Sequence, residues 1–74
     1  MTRLPVVSGH DAVEALCKMG CEIDHQTDSH MILRRATVPH RRLTIPDHKE
    51  LAKGTLRAII REAGLTVDEF AALL

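Results

Sequence analysis

Along the chain, apolar positions switch from helical spacing to alternation and back, and each switch predicts an element. Val13, Leu16 and Cys17 recur at helical spacing, with Ala12 and Ala15 adding helix propensity. Ser8 precedes them as an N-cap, Asp11 stands three residues on in capping-box position, and Gly20 supplies a C-cap. These signals predict a first helix over residues 9–19, after an extended lead-in over residues 1–7 that Pro5 stiffens. Residues 21–25 alternate with period two and predict a strand. A polar turn over residues 26–28 leads to a second strand over residues 30–35. On that strand His30, Ile32 and Arg34 share one face, and Met31, Leu33 and Arg35 the other. Both faces carry apolar residues, so the pattern leaves open which one packs on the helices.

A basic hairpin connection over residues 36–41, containing Pro39, leads to a third strand over residues 42–45, which Pro46 stops. Leu43 and Ile45 point one way, Arg42 and Thr44 the other. Residues 46–54 form a polar loop. Leu56, Ile59, Ile60 and Ala63 then fall at i, i+3, i+4 and i+7, the core stripe of a second helix over residues 55–63, with Arg57 and Arg61 together on another side. Gly64 caps it, and Thr66 with Glu69 opens a short third helix over residues 66–74, whose stripe is Val67, Phe70 and Leu74. Strands joined by short connections pair as an antiparallel meander, and flanking helices cover one face of it. The prediction is a single α+β domain over residues 1–74: a three-stranded antiparallel sheet, helices on one face, and a short C-terminal helix. The α-β-β-β-α order is that of the double-stranded-RNA-binding domain, an analogy of order alone.

Composition changes this picture in two ways. With one Phe, no Trp and no Tyr in 74 residues, the core must be small and aliphatic, and low stability without an oligomeric or bound partner is expected. The zero net charge is segregated: the stretch from Arg34 to Arg61 holds eight basic against two acidic residues, +6, and the remainder is −6. A basic middle between acidic ends suggests a polyanion-binding face, although charge runs also serve solvation alone. Two cysteines four positions apart make no secreted disulfide framework. The sequence shows no signal-peptide pattern and no long apolar run, which predicts a cytoplasmic protein with no membrane partner.

Five histidines are the candidate chemistry. His10 lies in the first turn of helix one as a surface residue, His25 shares a strand face with Cys21 and Ile23 and is expected to be partly buried, and His40 sits in the hairpin connection. His30 enters a strand directly after a short polar turn, where it is held stiffly and partly exposed, which suits an acid/base group. His48 occupies the loop after the third strand. A metal site is not expected: Cys17 and Cys21 straddle a helix end with no second ligand pair, and read as a core residue and an ordinary strand residue. There is no Gly-rich phosphate loop and no acidic cluster for Mg²⁺, so no cofactor is expected either. A nuclease built from this chain would work without metal and let the 2′-hydroxyl of RNA act as nucleophile. Histidine would then move protons while arginine or lysine neutralises the phosphorane-like charge.

An ordered set of segments carries a family resemblance. Leu4-Pro5-Val6-Val7-Ser8-Gly9 is followed by Gly20, by Ser29-His30-x-Ile32-Leu33-Arg34, by Leu43-Thr44-Ile45-Pro46 and by His48-x-Glu50-Leu51. The strongest block is Lys53-Gly54-Thr55-Leu56-Arg57-x-Ile59-Ile60-Arg61-x-Ala63-Gly64-Leu65-Thr66, and Asp68-Glu69-Phe70 closes the pattern. In these the chain resembles the HicA (YcfA-like) toxins of prokaryotic toxin–antitoxin pairs, which are messenger-RNA interferases. The resemblance implies a double-stranded-RNA-binding-domain-like fold, ribosome-independent cleavage of single-stranded messenger RNA, and a HicB-type antitoxin that covers the active site. DNA would be contacted only through the antitoxin. It implies that His30, in the Gly-Ser-His motif position, is the catalytic histidine, and that His48 is an auxiliary of less defined role. Ser29, Arg34, Arg35, Arg41, Arg42, Lys53 and Arg57 are the expected RNA-binding residues.

One position and one segment depart from the family. Asp28 replaces the usual Gly of the motif and adds negative charge where a phosphate should approach. Ala36-Thr37-Val38-Pro39-His40 replaces the usual His-Pro-Asp-Gly turn. The alternative of the same fold holding RNA without cutting it therefore stands beside the nuclease. A helix-turn-helix reading of the last two helices is disfavoured, because the Leu56, Ile59 and Ile60 stripe belongs to the core and the third helix has no basic residue for DNA.

Overall fold

The computed structural model describes residues 3–36 and 41–74. Thr37, Val38, Pro39 and His40 of the predicted hairpin connection, and Met1 and Thr2 of the lead-in, lie outside the described residues. The elements run α1 (Gly9–Lys18), β1 (Cys21–Gln26), β2 (His30–Arg35), β3 (Arg42–Pro46), α2 (Lys53–Glu62) and α3 (Val67–Ala72). The strands form an antiparallel sheet in the order β1-β2-β3, so the expected α+β order holds, with the short third helix appended.

Local chemistry sets the helix boundaries. Ser8 accepts a hydrogen bond from the Asp11 amide while the Asp11 carboxylate accepts from the Ser8 amide, and Thr66 and Glu69 repeat this reciprocal cap on α3. Gly20, at φ 108°, turns the chain from α1 into β1. The second helix starts two residues earlier than the apolar stripe implied, at Lys53. Its N-cap is Ala52, without a side-chain hydrogen bond, which is why the sequence carries no cap signal there.

The packed face of the sheet is the one bearing Met31, Leu33, Leu43 and Ile45, each no more than 2% exposed. These meet Ala12, Val13, Ala15 and Leu16 of α1, Leu56, Ile59 and Ile60 of α2, and Phe70 of α3 in one core cluster. The opposite face carries His30, Ile32, Arg34, Arg42 and Thr44 and is open. Of the predicted stripe on α3, Phe70 is fully buried but Leu74 is exposed, and Leu73 packs against the core in its place.

Two expectations are corrected. The register of β1 shifts at Asp24, a bulge that pairs His25 with Ile32 rather than leaving it on the face of Cys21 and Ile23. His25 is exposed, as is every other residue of β1 after Cys21. The cysteines exchange roles: Cys17 is exposed and Cys21 is buried. Gly9, Ala12, Val13, Ala15 and Leu16 form the buried side of α1 while Cys17, near its end, is exposed, and Cys21 is buried at the first position of β1. Burial pushes the Cys21 thiol above its ordinary value of 9.0, an effect that nearby Arg35 partly offsets. Iodoacetamide at pH 8 is expected to add one adduct to the native protein, on Cys17, and a second only in urea. Equal native labelling of both thiols by mass spectrometry would contradict this packing.

Candidate active site at the hairpin end of the sheet

His30 is fixed by its neighbours in the β1–β2 turn. Its amide donates to Thr27 Oγ1 at 3.1 Å, and its carbonyl accepts from the Thr27 amide at 2.8 Å. The Thr27 hydroxyl also lies 3.3 Å from that carbonyl, so one threonine closes the turn around the loop residues Asp28 and Ser29. The ring is held as well: Ser29 Oγ sits 2.9 Å from His30 Nδ1. With Nδ1 engaged, Nε2 is the ring nitrogen left for a ligand, on an exposed side chain.

A second segment meets this turn. His30 pairs across the sheet with Pro46, and the Asp47 amide donates to the Ser29 carbonyl at 2.9 Å. The following loop is tied to the start of α1: the Gly9 amide donates to His48 O at 2.9 Å, and the Leu51 amide to Val7 O at 2.8 Å. Gly9 is buried, and a Cβ there would collide with the Pro46 carbonyl, so only glycine lets α1 approach β3 this closely. The approach brings His10 to the loop, where its Nε2 lies 3.1 Å from Asp47 Oδ1. His30, Ser29, Asp47, His48 and His10 thus gather at one end of the molecule, although they come from three separate stretches of the chain.

The expected RNA-binding residues fall into three groups. Ser29 belongs to the hairpin end. Arg34 and Arg42 pair with each other on the open face, and Arg41 precedes β3 at the same edge. Arg34 is four residues along β2 from His30, so the open face separates them by about 13 Å. Glu22 stands opposite Arg34, and Asp24 lies 3.7 Å from Arg42 Nε, so acidic side chains of β1 temper this basic end. Arg35 is placed on the opposite, covered side, near Cys21 and Gly64, apart from the others. Lys53 and Arg57 are exposed on α2, and with Arg61 they follow one another at intervals of four. The first turn of α2 carries no acidic residue and no side-chain cap, and a side chain at Gly54 would meet open space, so its amides suit an anion.

The sequence signals singled out His30, Ser29 and His48 but read His10 as a surface residue and Asp47 as part of a loop. Their contact joins positions 37 residues apart, and no local pattern announces it. Among the described residues no group of three or more His, Cys, Asp or Glu side chains is arranged to hold a metal ion, and no helix is long and apolar enough to cross a membrane.

A family model matches residues 9–65, most of the chain; its description is the HicA toxin of bacterial toxin–antitoxin pairs. None of the curated proteins matches the chain.

Proposed function

The chain belongs to the HicA toxin family, the toxin side of bacterial toxin–antitoxin pairs, and on that premise we propose that it is a metal-independent, ribosome-independent endoribonuclease that cuts messenger RNA. A toxin of such a pair has a cognate antitoxin as its partner. Here that partner is proposed to be a HicB-type protein that covers the hairpin end, with the cytoplasm as the place of action and DNA contacted only through the antitoxin.

The observation that carries the reading is the Ser29–His30 pair: an exposed imidazole with one ring nitrogen held at 2.9 Å and the other without a partner among the described residues. In this reaction the 2′-oxygen of RNA attacks the adjacent phosphorus and the bond to the 5′-oxygen breaks. The products are a 2′,3′-cyclic phosphate and a 5′-hydroxyl. His30 acts as general acid or base through Nε2, and Ser29 orients its ring. Lys53 and the uncapped start of α2 receive phosphates, with Arg57 beside them, while Arg34, Arg41 and Arg42 hold the strand farther along the open face. Arg35 contributes least to this path because of its covered position, and His48 serves as an auxiliary.

One feature favours a second reading, an RNA-binding module that does not cut. Asp28 is exposed in the two-residue turn beside His30 and brings negative charge to the phosphate's approach. The two readings separate in a single experiment with single-stranded RNA and EDTA. Cleavage by the nuclease shortens the RNA. A binding module leaves its length unchanged and shows only salt-dependent retention.

A further inference from the structure

We infer that His10, held by Asp47, is the second proton-transfer group of this site and works opposite His30. The inference rests on the ribonuclease reading above and adds to it the residue that supplies the other half of the proton transfer. Breaking the phosphodiester by the 2′-hydroxyl moves two protons: one leaves the attacking 2′-oxygen, and one arrives on the departing 5′-oxygen. A lone histidine can do only one of these at a time, so a second group within reach of the same phosphate lets both occur in one transition state.

The hairpin end holds that group. His10 Nε2 lies 3.1 Å from Asp47 Oδ1, and the Asp47 amide is bonded at 2.9 Å to the carbonyl of Ser29, whose hydroxyl holds His30 Nδ1 at 2.9 Å. Asp47 and Ser29 therefore connect the two imidazoles, and both rings are mounted on one rigid junction. The His10 side chain is 66% exposed, and Nδ1 has no protein partner among the described residues. Each ring thus has one nitrogen fixed by an oxygen and, among the described residues, one without a protein partner on an exposed side chain, the arrangement a proton-transfer group needs. His10 has a carboxylate as its partner and His30 a hydroxyl, and this difference assigns the roles. His30 takes the proton of the 2′-hydroxyl, and His10 gives its own to the 5′-oxygen as the bond to phosphorus breaks. Protons and charge balance between the two rings, with the cyclic phosphate and the 5′-hydroxyl as products.

The test uses two RNA oligonucleotides, one natural and one with the bridging 5′-oxygen at the cleavage site replaced by sulfur, a leaving group that needs no proton. His10→Gln is expected to cut the natural RNA about 100-fold more slowly than the wild type, within the usual range for loss of an acid. On the sulfur-bridged RNA it is expected to regain nearly the wild-type rate. His30→Ala should stay slow on both. Asp47→Asn, which keeps the shape of the side chain, should show a smaller loss with the same recovery. If His10→Gln cuts natural RNA at the wild-type rate, or is equally impaired on both substrates while melting and binding RNA as the wild type does, the inference fails and the ribonuclease reading survives. If the wild type cuts neither RNA, the ribonuclease reading fails and takes this inference with it.

Discussion

Replacing His30 with alanine is expected to lower RNA cleavage by about 10²–10⁴-fold, the range for removing a positioned acid or base, while folding and RNA binding persist. The persistence follows from how the residue is held. The bonds that close the β1–β2 turn run from Thr27 to the backbone of His30 and do not involve its ring. Among the described residues the ring has one hydrogen-bond partner, Ser29, at an exposed position, so its removal leaves no buried polar group unpaired. The phosphate-binding candidates Lys53, Arg57, Arg34 and Arg42 lie on other elements and remain in place. Cleavage rates, thermal melting and filter binding on the same preparation would check the three parts together. A variant that cuts as fast as the wild type would remove His30 from the chemistry.

The largest effect on stability is expected at Phe70. It is the only aromatic residue in the chain and is fully buried, although it lies beyond residues 9–65, the segment matched by the family. Truncating a buried Phe to Ala costs about 3–5 kcal/mol, through lost transfer free energy and the cavity left behind. A chain of this length has a total stability of about 4–11 kcal/mol. The six residues of α3 are too few to hold a helix on their own, so the helix stays folded mainly because Phe70 anchors it. The bond from Lys18 Nζ to Leu73 O is exposed and compensates little. Phe70→Ala should therefore remove a large share of the stability and lower the urea midpoint in proportion. Saturating cognate antitoxin should restore it in part, by about 2.7 kcal/mol at a hundredfold excess over Kd. A loss below about 1 kcal/mol in urea unfolding would show that the core does not depend on this ring.

Much of the fold was legible because its signals are local. The capping boxes at Ser8 and Thr66, the alternation in β1 to β3 and the four-residue stripe on α2 each specify an element within one turn or one strand. What stayed hidden needed neighbours. Met31 and Leu33 against Ile32 could not reveal the packed side until the helices lay on it. The bulge at Asp24 moved His25 to the open face, and its cause is cross-strand register rather than composition. Cys17 fits a helical stripe with Val13 by spacing yet is exposed, since it lies near the end of α1 beyond the last buried residue, Leu16. The candidate site divides in the same way. Ser29 and His30 are adjacent and were visible as a motif. The pairing of His10 with Asp47 depends on Gly9 bringing α1 against the end of β3, a tertiary event.

If the RNA's own 2′-hydroxyl is the nucleophile, the ends of the cleavage products carry its signature. Single-stranded RNA incubated with the wild type in EDTA should yield fragments ending in 2′,3′-cyclic phosphate, each followed by a 5′-hydroxyl. Substituting one 2′-deoxynucleotide at the cut site should abolish that cut and no other. Fragments bearing 5′-phosphate, or cutting that continues at the deoxy position, would show that the 2′-hydroxyl is not the nucleophile.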